Sequence, residues 1–330
     1  MANQILQTTS VGSFPKPDYI TKARTKARRG DMDTAELKEL EQQATREVIQ
    51  LQEDLDIDVI VDGEMYRGDM AEYFAQQMRG FESSGLVRSY GNRYYHKPIV
   101  VDAIERPNAI TVEWWKYAQS LTNKPVKGML TGPYTMMDWS FIEYYPNRRE
   151  CTLALARAIH DEVVDLEKAG ATIIQVDEPA LSARADEVEL AIEAMGIVTQ
   201  GVSAKIVTHI CYGTFDKIYP RMLDLPLDQI DLEFANSHYR LLDHFEKNPF
   251  TKEVGYGVVD IHSHRIESVD EIVAGIKKGL EYIPAEKMYV DPDCGLKTRT
   301  WEESKAKLAN IVTAVKIVRA EIGQPSARNA

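Results

Sequence analysis

Four residues of types that bind zinc stand at the ends of short apolar runs: His209, Cys211, Glu233 and Cys294. His209 and Cys211 close the run AKIVTHIC, and the single residue between them places both side chains on one face of an extended strand. Zinc accepts imidazole, thiolate and carboxylate ligands in one tetrahedral shell. Ligands from three separate strand ends indicate a site in an enzyme cleft, whereas a zinc finger has two local ligand pairs.

The charge of this ligand set favours one kind of zinc chemistry. Two thiolates and one carboxylate around Zn²⁺ carry a formal net charge of −1, counting +2 against three anions. Such a centre is a poor Lewis acid for water activation, but it can hold an incoming thiol as a nucleophilic thiolate at neutral pH. The sequence therefore predicts alkylation of a thiol. A structural zinc ion and the absence of any metal are the alternatives.

A histidine that follows another apolar run is a candidate general acid. His262 lies between Asp260 and His264 in VVDIHSHRI, and the three side chains share one face if the segment is extended. A proton donor near the metal would help a leaving group to depart once its methyl group has been taken. A purely structural role is the alternative for His262.

Other polar residues at strand ends are suited to binding a small amino acid. Asp177 and Glu64 carry the negative charge that an amino group requires, and Gly12 and Ser13 offer backbone N–H groups to a carboxylate. Glu178 has a different interpretation, as a buried partner or as a negative charge at the start of a helix. The predicted ligand is thus a small zwitterion.

Eight short runs rich in β-branched or apolar residues predict strands, and helical periodicity separates most of them. The runs are Leu6–Val11, Ile57–Asp62, Val126–Thr131, Thr172–Asp177, Lys205–Ile210, Gln229–Phe234, Val254–Val259 and Lys287–Asp291. This alternation favours an α/β fold, a (β/α)8 TIM barrel in which residues 1–330 form a single catalytic domain. Active sites of such barrels lie at the carboxyl ends of the strands, where the residues above also fall. An open, doubly wound sheet is the structural alternative.

Helix signals lie where the alternation requires them. Residues 34–55 carry apolar side chains at steps of three or four, which define one helix face. Ser268 with Glu271, and Thr300 with Glu303, form capping-box patterns that open the helices on either side of the eighth strand. The interval at residues 79–124, between the second and third strands, is too long for a simple crossover and predicts a hairpin insertion before a helix.

Composition restricts the partners and the location. Lys and Arg number 39 against 51 Asp and Glu, and the formal net charge of −12 disfavours nucleic acid and anionic membranes as partners. No apolar stretch approaches the roughly 20 residues of a membrane span, and the N-terminal MANQILQTTS lacks the pattern of a secretory signal. We therefore expect a cytoplasmic protein whose three cysteines stay reduced, with Cys151 serving packing.

Long motifs identify a family that the sequence resembles. The segments TTSVGSFPKP, DGEMYRGDMAEYF, IIQVDEPAL, THICYG, VVDIHSHRI and VDPDCGLKTR are similar to those of the catalytic, C-terminal barrel of cobalamin-independent methionine synthase. The likeness runs from about Thr8 to Arg299. The resemblance implies a zinc-dependent homocysteine S-methyltransferase that produces methionine.

The resemblance also implies roles for individual residues. The zinc-binding positions of the family match His209, Cys211, Glu233 and Cys294. The homocysteine-binding positions match Val11, Gly12 and Ser13 on the carboxylate side and Glu64 and Asp177 on the amino side. The proton-donor position matches His262.

The methyl donor is where the sequence departs from the family pattern. Trp139 matches a pterin-contacting tryptophan, and Arg93 and Tyr94 fall in the folate-contacting part of the insertion. Ala183, however, replaces a folate-contacting glutamate, and we expect the additional N-terminal barrel of folate-using members to be absent. Because short, single-barrel relatives resemble enzymes that take methyl groups from corrinoids, we predict methylcobalamin or a methylated corrinoid protein as the donor.

Three other interpretations stay open. Methyltetrahydrofolate is the alternative donor for the same reaction. Methylation of another thiol, such as coenzyme M, would keep the zinc site and change the acceptor, although Glu64 and Asp177 favour a substrate with an amino group. The non-enzyme alternative is a barrel that binds zinc or an amino acid without catalysing a reaction. The predicted partners are thus homocysteine, methionine and a corrinoid protein, with neither nucleic acid nor a membrane among them.

Overall fold

The structure, a computed structural model, describes residues 5–88, 94–211, 213 and 215–323. In chain order its helices are α1 (Asp18–Arg29), α2 (Thr34–Asp54), α3 (Met70–Gln77), α4 (Val112–Gln119), α5 (Pro133–Asp138), α6 (Arg148–Ala169), α7 (Val188–Val198), α8 (Val269–Leu280) and α9 (Trp301–Gly323). Its strands are β1 (Arg79–Arg88), β2 (Tyr94–Glu105), β3 (Gly128–Thr131), β4 (Phe141–Ile142), β5 (Ile173–Asp177), β6 (Lys205–Ile210), β7 (Gln229–Leu232), β8 (Glu253–Gly257) and β9 (Met288–Asp291). Short 3₁₀ turns lie between several of them.

These elements fall into two compact units. The flanking unit comprises the chain through Gly63 and from Ile230 onward, and it contains α1, α2, α8, α9, β8 and β9. The central unit comprises Glu64–Gln229 and contains α3 to α7 and β1 to β6. Strand β7 begins at the boundary. Helices alternate with parallel strands in both units, so the chain has the predicted α/β fold.

Parallel strands form the main sheet of the central unit. β3 pairs with β5 so that Thr131 lies opposite Asp177, and β5 pairs with β6 so that Gln175 lies opposite Val207. Nearly every residue of the three strands is buried, as expected for a parallel sheet with both faces covered. Because these strands run in one direction, their carboxyl ends, including Asp177 and His209, lie at one edge of the sheet.

The flanking unit also contains parallel strands, but two of the predicted strands are shorter than expected. β8 pairs with β9, whereas the predicted strands Leu6–Val11 and Ile57–Asp62 contribute only isolated bridges, made by Thr8 and Thr9. Leu6 has a φ of 54°, and this left-handed backbone stops regular pairing from extending towards the N-terminus. The other six predicted strands are observed within one or two residues of their predicted bounds.

A smaller sheet lies in the segment where the sequence predicts a hairpin. β1 and β2 are antiparallel, with Arg79 opposite Glu105, and the two-residue strand β4 joins β2 in parallel, with Ile99 opposite Phe141. The helix α4 follows β2, in the order that the sequence predicts.

The predicted helix signals at three positions are confirmed. α2 begins at Thr34, as the periodicity indicates. At the start of α8 both hydrogen bonds of the capping box between Ser268 and Glu271 are formed. At the start of α9, Thr300 N donates to Glu303 Oε2 at 2.9 Å, and Glu303 N donates to Thr300 Oγ1 at 3.1 Å. These reciprocal bonds satisfy amides that the helix itself leaves without partners.

The core of each unit is apolar. Val48, Ile60 and Val290 are fully buried in the flanking unit, as are Leu155 and Val176 in the central unit. Within residues 5–323, leaving aside the gaps named above, none of the helices combines the length and the apolar character of a membrane span.

Candidate functional site

His209 and Cys211 lie at the carboxyl end of β6 in the central unit. His209 is the penultimate residue of the strand and Cys211 follows its last residue, so the spacing of two puts both side chains on one face. Each residue is only 4% exposed. The structure therefore brings a buried imidazole and a buried thiol together at one strand end, as the sequence predicts.

The backbone of this pair is fixed by the segment that follows β5. Glu178 N donates to His209 O at 3.1 Å, and Ser182 Oγ donates to Cys211 O at 2.8 Å. The approach is close, because a Cβ added to Gly213 would lie 2.2 Å from Ser182 Cβ. Both candidate ligands thus gain their positions from hydrogen bonds to carbonyl groups.

Glu178 itself serves the start of a helix. Its carboxylate accepts hydrogen bonds from Tyr134 N at 3.0 Å and Thr135 N at 2.7 Å, in the first turn of α5. Burial raises the pKa of Glu178 to about 7, against the opposing effect of the hydrogen bonds from Thr135. A Cβ at Gly132 would lie 2.2 Å from Glu178 Cδ, so glycine is required there. The interpretation of Glu178 as a helix N-terminal charge is confirmed.

A buried chain of polar groups leads to Asp177, the last residue of β5. Lys127 Nζ donates to Gln175 Oε1 at 2.8 Å, and Gln175 Nε2 donates to Asp177 Oδ1 at 2.7 Å. Burial raises the pKa of Asp177 to about 7, while His209 and the hydrogen bond from Gln175 act in the opposite direction. Lys127 therefore fixes which end of the Gln175 amide faces Asp177.

Glu64 contributes a second carboxylate close to Asp177. The charge of Glu64 raises the pKa of Asp177, and Arg67 Nη2 lies 3.3 Å from Glu64 Oε1. Glu64 has a φ of 56°, a left-handed backbone that is strained for a residue other than glycine and occurs often at functional sites. The structure thus brings together the two acidic residues that the sequence selects for an amino group.

Glu233, His262 and Cys294 come together in the flanking unit. Glu233 directly follows β7 and is 3% exposed, and His262 Nε2 lies 3.4 Å from Glu233 Oε1. This hydrogen bond raises the pKa of His262 above its usual value. Burial acts against the increase, and the charges of Glu233, Asp260 and Cys294 add to it. These contacts therefore favour the protonated form of His262 relative to a free imidazole.

Asp293 fixes the backbone on both sides of this group. Its Oδ1 accepts from Phe234 N at 2.9 Å and from Ala235 N at 3.0 Å, and its Oδ2 accepts from Asn236 N at 2.6 Å. Its own N donates to Val259 O at 3.0 Å. Burial raises the pKa of Asp293 to about 8, against the effect of these hydrogen bonds. One side chain thus joins the segment after Glu233 to the turn that carries Cys294.

The candidate carboxylate-binding segment lies against the loop that follows Cys294. Ser13 O accepts from Leu296 N at 2.7 Å, and a Cβ at Gly295 would lie 2.2 Å from Ser13 Oγ. Val11 and Ser13 are buried, at 5% and 9% exposure. In the flanking unit, residues 11–13 and the Cys294 turn are therefore neighbours.

The three residues that the sequence assigns to the methyl-donor region are described to different extents. Arg93 lies outside the described residues. Tyr94 begins β2 and is 61% exposed, and Trp139 follows α5, where its carbonyl oxygen accepts from Tyr95 Oη at 3.5 Å. These positions do not test a contact with a donor.

Three buried residues were missed by reasoning from the sequence: Lys127, Gln175 and Asp293. Gln175 carries a usable signal, because it is polar within the apolar run TIIQVD and shares a strand face with Asp177. Asp293 has a weaker one, since it precedes Cys294 in a turn sequence where aspartate is common. Lys127 gives none, because a lysine at the start of a strand is usually exposed.

Comparison with known proteins gives a family match and a set of relatives. Residues 6–317 match the family model described as "Cobalamin-independent synthase, Catalytic domain". The chain is 45% identical over 330 residues to the 5-methyltetrahydropteroyltriglutamate–homocysteine methyltransferase of Streptomyces griseus, covering 96% of this chain and 43% of the relative. The protein of the same name from Mycobacterium tuberculosis H37Rv is 45% identical over 327 residues, with the same coverage. The chain therefore spans less than half the length of these curated relatives.

Solved structures also resemble this chain over most of its length. A B12-independent methionine synthase from Shewanella sp. W3-18-1, in complex with selenomethionine, is 27% identical with a TM-score of 0.87 and covers 97% of this chain and 99% of its own. A methyltransferase from Methanosarcina mazei is 16% identical with a TM-score of 0.63, covering 97% and 95%, which shows a shared fold alone.

The prediction of methylcobalamin or a methylated corrinoid protein as methyl donor is wrong. The matching family is cobalamin-independent, and the relatives are named for a methyltetrahydropteroyltriglutamate. The prediction gave too much weight to Ala183 and to the length of the chain. One replaced contact residue removes a single interaction, and it does not decide which donor a site accepts.

Proposed function

Because the chain belongs to the family of cobalamin-independent synthase catalytic domains, we propose that it transfers a methyl group from 5-methyltetrahydropteroyltriglutamate to the sulfur of homocysteine, giving methionine. Two relatives at 45% identity carry names that state this reaction. The Shewanella protein, which this chain matches over 99% of its length, is named a methionine synthase and binds selenomethionine, an analogue of the product. A chain of this size therefore has a named counterpart.

We propose zinc as the resident metal, held by His209, Cys211, Glu233 and Cys294. The donor types fit zinc, since two thiols, an imidazole and a carboxylate match its preferred ligands. A zinc ion bound there would lower the pKa of the substrate thiol and keep it as a thiolate. The two thiolates also favour zinc over magnesium or calcium, which prefer oxygen ligands.

The amino acid part of homocysteine has two proposed binding regions. The α-amino group carries a positive charge, which suits the carboxylates of Glu64 and Asp177. Gln175 donates to Asp177 Oδ1, which leaves Oδ2 for the substrate. The α-carboxylate is assigned to the N–H groups of residues 11–13. These contacts would select an amino acid over a simple thiol.

His262 is the proposed proton donor. In the reaction a bond forms between the homocysteine sulfur and the methyl carbon, and the bond between that carbon and the pterin nitrogen breaks. The electron pair of the broken bond remains on the nitrogen, which is a poor leaving group unless it receives a proton. The hydrogen bond with Glu233 Oε1 raises the pKa of His262 and favours a proton on Nε2. This contact is the observation that carries the proposal.

The remaining proposals concern the methyl-donor region, the fold and the cellular location. We assign Arg93, Tyr94 and Trp139 to the methyl-donor region, since an aromatic ring can stack on a pterin. We retain the (β/α)8 barrel, with residues 1–330 as one catalytic domain and the β1 to β2 hairpin as an insertion. The parallel strands with site residues at their carboxyl ends support that arrangement. The proposed location is the cytoplasm, where thiols stay reduced.

The direct test is methionine formation by the purified chain. We expect the zinc-loaded protein to form methionine from homocysteine and 5-methyltetrahydropteroyltriglutamate, measured by mass spectrometry, and to lose this activity with a zinc chelator. The Cys151→Ser variant is the control, because Cys151 is buried in α6 and takes no part in the proposed site. Zinc-loaded protein that forms no methionine from this donor would contradict the proposal.

A further inference from the structure

The loop that carries His262 is closed at its base by a lysine of α9. Lys307 is fully buried, with 0% of its surface exposed. Its Nζ donates to Asp260 O at 3.0 Å, to Arg265 O, and to Glu267 Oε2 at 2.7 Å. These acceptors lie on both sides of His262 in sequence. One ammonium group therefore joins the two ends of residues 260–267, which we call the His262 loop.

Further hydrogen bonds complete this closure. Glu267 Oε1 accepts from Asp260 N at 3.0 Å, and Asp260 Oδ1 accepts from His262 N at 2.7 Å. Asn310, one turn beyond Lys307 on α9, donates from Nδ2 to Glu267 O at 2.7 Å. The backbone of His262 is thus connected to α9 through Asp260 and then through Glu267 and Lys307.

A lysine and a glutamate are well suited to closing the His262 loop. An ammonium group has three N–H donors and no acceptor, and each of the three has a partner here. Removing a charge from water is costly, and Glu267 supplies the opposite charge. Apolar residues of similar volume often stabilise a fold as well as a buried ion pair does. Geometry is therefore a better reason than stability for this pair beneath the His262 loop.

We propose that Lys307 is a positioning residue that sets the place of His262 beside Glu233. The inference rests on the proposed function, because it assumes that His262 acts in methyl transfer. His262 Nε2 lies 3.4 Å from Glu233 Oε1, and a small shift of the loop would remove this contact. A displacement of about 1 Å in a catalytic group can lower the rate by roughly 10²-fold.

The experiment compares three variants of the full chain. Lys307→Met removes the ammonium group but leaves Glu267 charged and buried, which lowers the stability of the fold. The double variant Lys307→Met with Glu267→Gln removes both charges and keeps an acceptor for Asp260 N. Lys316→Met is the matched control, because Lys316 lies on the same helix and makes an exposed ion pair with Asp56 at 2.8 Å.

Each variant is measured in three ways: thermal unfolding, kcat and KM for homocysteine, and hydrogen exchange of the His262 loop by mass spectrometry. We expect the double variant to unfold near the wild-type temperature, to keep its KM, and to lose about 10²-fold in kcat. Its His262 loop should exchange faster than in the wild type. The control should match the wild type in all three measurements.

A double variant with normal kcat and normal loop exchange would show that the pair is merely structural, and would overturn the inference. His262→Asn separates this outcome from failure of the proposed function. If His262→Asn keeps wild-type kcat while loop exchange in the double variant is faster, the proton donor is misassigned and Lys307 still orders the loop. If hydrogen exchange of the His262 loop is unchanged in the double variant, Lys307 does not position His262, whatever the kcat of His262→Asn.

Discussion

The central unit and the flanking unit hold their candidate site residues in different ways. In the central unit His209 lies within β6, so the sheet, together with a hydrogen bond from Glu178 N to His209 O, fixes its backbone. In the flanking unit His262 and Cys294 lie in turns beyond β8 and β9, and buried ionisable side chains fix those turns. Lys307 orders the turn of His262, and Asp293 orders the turn of Cys294.

This difference has an energetic consequence. A residue within a strand needs only the backbone hydrogen bonds that every strand makes. A turn fixed by a buried ion pair, such as Lys307 with Glu267, depends on both partners, and removing one of them costs about 3–5 kcal/mol. Substitutions far from the proposed zinc ligands should therefore disturb the flanking unit more than the central unit.

The strongest test of the comparison removes one thiol from each unit. Cys211→Ser in the central unit and Cys294→Ser in the flanking unit should each lose zinc and at least about 10³-fold in methyl transfer, because a hydroxyl group is a poor zinc ligand. Zinc content by atomic emission and methionine formation are the measurements. Cys151→Ser should keep both. Full zinc content in Cys294→Ser would exclude that residue from the ligand set and leave the metal to the central unit.

The pH dependence of stability should distinguish the two units. Burial raises the pKa of Asp177 to about 7 and that of Asp293 to about 8, from 3.8 in each case. For each group, at pH values between 3.8 and its raised pKa, the folded state keeps a proton that the unfolded chain has released. Stability of the metal-free protein should therefore fall as pH rises, by up to about 1.4 kcal/mol per pH unit for each carboxyl group.

Two amide variants assign this dependence. Asp177→Asn should reduce the decline up to about pH 7, where Glu178 also contributes, and Asp293→Asn should reduce it up to about pH 8. Urea unfolding of the metal-free protein at several pH values between about 5 and about 8 provides the free energies. Stability that rises with pH over this range would be the opposite of the expected sign.

The smallest expected effect concerns the polar chain in the central unit. Gln175→Leu removes the hydrogen bond to Asp177 and leaves Lys127 without its amide partner. We expect KM for homocysteine to rise about fivefold, since one such bond contributes about 1 kcal/mol, while zinc content stays unchanged. Steady-state kinetics measure this rise. Gln119→Leu is the control: Gln119 ends α4, where its Nε2 donates to Thr122 O and Lys124 O and its Oε1 accepts from Val126 N, and its loss should leave KM as it is.

Much of the central unit could be predicted from the sequence. The run Lys205–Ile210 is observed as β6 with the predicted bounds, because its apolar residues and the turn residues after it agree. The spacing of two between His209 and Cys211 then determines that they share a face. Local pattern is sufficient where the residue lies in a regular element.

The flanking unit shows what the sequence does not reveal. Lys307 lies on the buried face of α9 with Leu308 and Ile311, yet a lysine is normally assigned to the solvent. Its partners lie about 40 positions earlier, so no local pattern indicates them. The left-handed backbone at Leu6 is equally invisible, and it shortens the first predicted strand. Long-range burial and backbone strain are properties of the folded chain.

Transfer of an isotopic label tests the central claim most directly. The zinc-loaded chain is incubated with homocysteine and 5-methyltetrahydropteroyltriglutamate carrying ¹³C in its methyl group, and the products are followed by NMR. The account predicts that the label appears in the S-methyl group of methionine, at a rate that falls sharply in Cys294→Ser. A label that remains on the pterin in fully zinc-loaded protein would contradict it.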